Sequence, residues 1–141
     1  MITFLTIINI IVFLLLAGLH FYWAFGGTAW KDVVIPTYGN GRYLFIPSME
    51  VTVSVAIGML FFAAIDLAHR HWLHLYIDLE YVRYGVLIIC IIFLMRGIGD
   101  FRYIGLSKKY RESRFAKMDT RLYSPLCLLL ALTHIIAFLE S

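Results

Sequence analysis

Four long apolar blocks, separated by segments that carry most of the charge, constrain this chain more than any other feature. They lie at about 2–24, 48–68, 80–99 and 124–140, each close to the ~20 residues that a helix needs to cross a hydrocarbon layer. Their apolar residues run on continuously instead of recurring at amphipathic spacing, so each block reads as a membrane span rather than one face of a soluble helix. Composition agrees, with 62% of the 141 residues hydrophobic, 15% charged and a mean hydropathy of +0.84. A soluble domain carries about 25% charged residues, and this chain has too little polar surface to cover a water-soluble globule. The expected fold class is all-α: an integral membrane four-helix bundle, one domain over 1–141, with a basic amphipathic cytoplasmic segment between helices 3 and 4.

Local signals set the expected span ends. No Lys or Arg precedes the first block and no small-residue cleavage pattern follows it, so it is expected to stay as a span. The segment 26–47 is punctuated by glycine and proline, and its Asn40-Gly41 pair is a weak hairpin signal. Ser48 is placed to cap the second span, with Glu50 in its first turn where the helix dipole favours an anion. The third span ends at two glycines, Gly97 and Gly99. For the fourth, Ser124 reads as the N-cap and Pro125 as the first helical residue. Cys90 and Cys127 fall at different depths within their spans and are expected to remain free thiols.

The formal charge is +3, and its distribution says more than its size. The stretch 101–123 holds seven basic residues, Arg102, Lys108, Lys109, Arg111, Arg114, Lys117 and Arg121, against two acidic ones, a net +5. Aromatic and aliphatic residues interleave with them, which suits a segment lying in the headgroup layer. These seven are expected to contact anionic lipid. Lys31 and Arg42 lie on the same side, and the opposite side holds only Arg70 and Arg83, so both termini are expected outside the cytoplasm. This placement points to membrane lipids as partners, with room for another membrane subunit or a second copy, and away from nucleic acid. Nothing in the sequence calls for a cofactor. His71, His74 and His134 share the outer side, but their spacing does not specify a metal site, and none is expected.

Ionisable residues inside spans are expensive, so each needs a reason. In this topology His20 and Trp23 near the end of span 1, Glu50 at the start of span 2, Arg96 and Asp100 at the end of span 3, and Tyr123 at the start of span 4 share one level. They form a candidate polar pocket in the cytoplasmic third, with Asp100 or Glu50 as counter-ion to Arg96. The competing reading is ordinary polarity at span ends, with Arg96 and Asp100 pairing along one helix turn.

The stretches GLHFYWAFGG, RGIGDFRYIGLSKK and RFAKMDTRLYSPLCLLLA resemble the bacterial membrane family catalogued as domain of unknown function 3995, and the resemblance extends over essentially the whole chain. The matching positions include His20, Trp23, Arg96, Asp100, Asp119, Thr120, Tyr123, Ser124 and Cys127. The resemblance implies a small four-span protein of a bacterial cytoplasmic membrane and supplies no activity. Three functions compete: a lipid-binding or accessory membrane protein; an enzyme acting on an amphiphilic substrate, with His20 as acid or base and Arg96 on an anionic headgroup; and a small-solute or proton-coupled transporter. Transport usually requires polar groups at mid-membrane, and the span middles are almost purely apolar.

Overall fold

The computed structural model describes residues 2–38 and 40–140. Among these residues six α-helices follow in chain order: α1 (Ile2–Ala24), α2 (Lys31–Val34), α3 (Met49–His69), α4 (Leu79–Ile98), α5 (Arg114–Met118) and α6 (Ser124–Leu139). A π-helical turn, Asp119–Tyr123, joins α5 to α6. No strand forms among the described residues. The Asn40-Gly41 turn makes only a ladder of one bridge, Thr37 to Tyr43, with the Tyr38 N–H donating to the Arg42 carbonyl at 2.8 Å. Gly39 lies outside the described residues.

Among the described residues, four helical stretches are long and apolar enough to cross a membrane: Ile2–Ala24, Met49–His69, Leu79–Ile98 and Arg114–Leu139. Their outer faces fit that solvent. Leu15, Phe61 and Met95 are 64%, 61% and 67% exposed, a surface that water would penalise and lipid tails accept.

The start of the last helical stretch differs from the sequence expectation. Ser124 is itself helical, at φ −68 and ψ −44, and its hydroxyl donates to Asp119 Oδ1 instead of capping a helix. Helical backbone begins earlier, at Arg114, where Ser113 Oγ accepts the Ala116 N–H at 3.0 Å. Pro125 has no N–H to offer one turn back. The π turn directly before it is the kind of irregularity that lets a helix continue past such a gap.

The bundle consists of two helical hairpins. Helix α1 packs along α3 and α4 packs along α6, whereas contacts between the two pairs are sparser. We call the boundary between the pairs the seam. Phe13, fully buried, fills it: its ring lies 5.7 Å from Phe62, 5.6 Å from Phe93 and 5.7 Å from the His134 ring. Val86, Ile89 and Leu130 complete the core around it. Asn9 in α1 and Thr133 in α6 hydrogen-bond across the seam, at 3.0 and 3.1 Å. One end of the bundle carries the two long connections, and the other carries the short link from α3 to α4 together with the start of α1 and the end of α6.

Candidate functional site

At the long-loop end, the chain leaving α4 turns back on itself. Within seven residues, Gly99 (φ 93), Phe101 (φ 61) and Gly105 (φ 86) adopt left-handed backbone. A Cβ at Gly99 would run into the Ile104 carbonyl, and one at Gly105 into the Ile98 carbonyl, so two glycines are required where the strands of the loop cross. Asp100 organises the turn: its Oδ1 accepts the N–H groups of Arg102, Tyr103 and Ile104 at 2.9, 2.7 and 2.8 Å. Burial pushes the Asp100 carboxyl up, but these donors outweigh it and hold the group below its ordinary value.

This fold-back delivers the Gly105 N–H and the Lys108 side chain to Asp119, which the π turn holds fully buried. Asp119 Oδ1 accepts from Arg96 Nη2 at 3.0 Å and Ser124 Oγ at 3.2 Å, and Oδ2 from the Gly105 N–H at 2.7 Å and Lys108 Nζ at 3.1 Å. Lys108, 1% exposed, also donates to the Gly105 carbonyl at 2.9 Å and Thr120 Oγ1 at 2.7 Å, so all three of its ammonium hydrogens are used. Two cations thus share one carboxylate. Arg96 is the less enclosed of them: its side chain is one-third exposed and its Nη1 has no partner among the described residues.

The six residues expected to face one another are not brought together as a set. Arg96 takes Asp119 as counter-ion rather than Asp100 or Glu50. Asp100 is committed to its own loop. Glu50 is exposed at the start of α3. His20 Nδ1–H donates to the Leu16 carbonyl at 2.7 Å and its ring rests edge-on to Trp23, 5.3 Å away. Trp23 Nε1–H donates to the Ala29 carbonyl at 2.9 Å, closing the turn after α1. Tyr123 packs on Phe115 and lies within electrostatic range of Asp119 and Arg96. Pairing Arg96 with the carboxylate four residues on is reasonable for an uninterrupted helix, but α4 ends at Ile98, so Asp100 has left the helix before it can reach Arg96. Asp119 and Lys108 went unrecognised as an ionic core. The available signal was an isolated carboxylate in a basic stretch, a short distance before the fourth apolar block.

The basic stretch divides likewise. Lys108 cannot contact lipid, because its ammonium is internal. Arg114 is exposed but pairs with Asp32 of α2 at 2.7 Å, tying the first connection to α5. Arg102 leans on the Tyr103 ring, which stacks on Tyr110 with centroids 5.0 Å apart. Lys109, Lys117 and Arg121 are exposed, and Arg111 reaches back to the carbonyls of Lys108 and Leu106. A small cleft of about 150 Å³ opens between the two connections, lined by Thr37, Lys109, Tyr110, Arg111, Glu112 and Ser113. At the short-loop end, His71 and His74 border an open cleft of about 280 Å³, while His134 is buried inside the bundle against Asp66. Among the described residues, no group of three His, Cys, Asp or Glu side chains is placed to hold a metal. Cys90 and Cys127 are both buried and free.

Four apolar helices with lipid-suited outer faces define a multi-pass membrane protein. The chain belongs to the DUF3995 family, described as protein of unknown function, which matches it over residues 13–134. No curated protein and no solved structure matches it.

Proposed function

We propose that this is a lipid-binding accessory protein of the bacterial cytoplasmic membrane, docking anionic headgroups at its long-loop end. The observation that carries the reading is the charge balance around Asp119, where one carboxylate serves both Lys108 and Arg96. The net positive charge left there adds to the exposed Lys109, Lys117 and Arg121 on the same end of the bundle. Each such cation is worth about 1 kcal/mol beside an acidic leaflet. The same asymmetry favours placing this end in the cytoplasm and both termini outside. The cleft bearing Lys109 and Arg111 has room for a headgroup, and the neighbouring rings of Tyr103 and Tyr110 suit the interfacial layer. An enzyme working at this end receives less support, since Asp119 and Lys108, its most enclosed charged groups, are already engaged with each other.

Native mass spectrometry of the full-length protein, released from nanodiscs holding equal amounts of phosphatidylglycerol and phosphatidylcholine, tests the proposal. Phosphatidylglycerol should be retained preferentially, and the preference should shrink with salt. It should also shrink in the surface variant Lys109→Gln/Arg111→Gln/Lys117→Gln/Arg121→Gln. Equal retention of the two lipids would overturn the reading.

A further inference from the structure

The other end of the bundle holds buried polar chemistry that lipid docking does not use. Asp66 of α3 and His134 of α6 are 4% and 1% exposed and face each other across the seam. His134 Nδ1–H donates to the Leu130 carbonyl at 2.6 Å; a carbonyl can only accept, so this ring nitrogen carries a hydrogen. The other nitrogen, Nε2, stands 3.3 Å from Asp66 Oδ1. In a neutral ring with hydrogen on Nδ1, Nε2 is a bare lone pair, and an ionised Asp66 would set a second acceptor against it. Neither Nε2 nor Asp66 Oδ2 has a hydrogen-bond partner among the described residues, and the 3.3 Å approach of Nε2 to Oδ1 is a close contact and not a formed hydrogen bond. Two opposed acceptors in an enclosed apolar interior are strongly disfavoured, and one proton between them removes the conflict.

We propose that Asp66 and His134 form an intramembrane proton-binding site, holding one proton between Asp66 Oδ1 and His134 Nε2 across the seam of the two hairpins. With the proton on oxygen, a neutral carboxylic acid donates to a neutral imidazole. With it on nitrogen, a carboxylate accepts from an imidazolium. Both forms have zero net charge. Removing the proton strands a carboxylate beside a lone pair, and adding a second strands a cation, so single occupancy is the favoured state inside the bundle.

The surroundings leave this pair as the most enclosed charge site at the short-loop end. From α1 come Phe13 and the Asn9 amide, which do not titrate. Helix α4 contributes Cys90, beside the Ile135 backbone, and Arg83, whose guanidinium sits on the Phe138 ring and carbonyl. Beyond Asp66 in α3 comes His69, within electrostatic range of both Asp66 and His134, then Arg70, which donates to Thr3 Oγ1, and His71. His69 is half-buried and one helical turn nearer the end of α3, which makes it the adjacent group for passing a proton to the surface. By helical rise, Asp66 lies about 5 Å from the end of α3 and His134 about 8 Å from the end of α6.

Ring-¹⁵N and carboxyl-¹³C NMR of the full chain in lipid nanodiscs at neutral pH, with labelled histidine and aspartate, tests the site. His134 is assigned by loss of its signals in His134→Gln or, if that variant does not fold, by magnetisation transfer from labelled Phe13. The expected spectra show either a protonated Nε2 with an ionised Asp66, or an unprotonated Nε2 with Asp66 as the acid. In Asp66→Asn the ring should be neutral, with Nε2 an acceptor. A bare Nε2 facing an ionised Asp66 would overturn the proposal, and so would a doubly protonated ring persisting in Asp66→Asn. The wild-type spectra decide the matter even if that variant does not fold.

Discussion

Asp119 concentrates more of the fold in one side chain than any other residue at the long-loop end. It accepts from two cations, a hydroxyl and a backbone N–H, drawn from α4, the fold-back loop and the first turn of α6. Removing it should therefore do harm mainly through what it leaves behind. Asp119→Ala strands an ammonium with no route to water, and breaking a buried pair in this way costs about 3–5 kcal/mol. The double variant Asp119→Ala/Lys108→Met removes the stranded charge as well and should recover part of the loss. Thermal unfolding in detergent measures both, and a double variant as unstable as the sum of the two single changes would show that the pair is not coupled. Neighbouring lysines carry opposite fates here: Lys108 is internal and Lys109 is exposed. Adjacent identical residues in a charged stretch give no sequence signal of which one turns inward.

At the scale of elements, the loop after α4 is a structure in its own right, held by Asp100 and closed by Gly99 and Gly105. Its carboxyl lies below its ordinary value in the folded protein, because three N–H donors favour the ionised form over the opposing effect of burial. Asp100 therefore contributes stability that is fully present above the unfolded value of 3.8 and is lost as pH falls through the lower folded value. Wild type should be more stable than Asp100→Asn at neutral pH, and the gap should close on acidification below that value. Hydrogen exchange at the Ile104 amide follows the loop directly, and a gap that persists in acid would contradict the charge-based account. The four long helices were legible because continuous apolar runs of spanning length have few alternatives. Ser48 was legible as a cap because Pro47 stops the chain before it, and its Oγ does accept the Val51 N–H. Ser124 and Pro125 spell the same start signal, yet the helix runs through them, because the Ser124 hydroxyl is claimed by Asp119 and the π turn accommodates the proline. The fold-back could not be read, since nothing local tells Lys108 which carboxylate it will meet.

As a whole, the molecule divides more naturally into two than into four. Each hairpin buries most of its own interface, and sparser contacts join the two: the Phe13 ring, the Phe62–Phe93 rings, the Asn9–Thr133 hydrogen bonds and the Asp66–His134 pair across the seam, with the Arg114–Asp32 ion pair and the Tyr38–Tyr103 rings at the long-loop end. A chain cut between Tyr76 and Ile77, where Tyr76 is fully exposed in the short link, should reassemble when its halves are co-expressed. The halves should copurify, and Asn9→Ala together with Asp66→Asn should weaken their association. Halves that never copurify would mean that the short link, not the seam, holds the hairpins together. The division also bears on biogenesis. A ribosome delivers α1 and α3 before α4 and α6, so the first pair can close inside the bilayer while the second is still being synthesised. Maturation then ends with one lateral encounter between two preformed units. A translational pause between the halves would leave a closed helix pair whose Asn9 and Asp66 still await Thr133 and His134, whereas one between α1 and α3 would leave α1 without the helix it packs along.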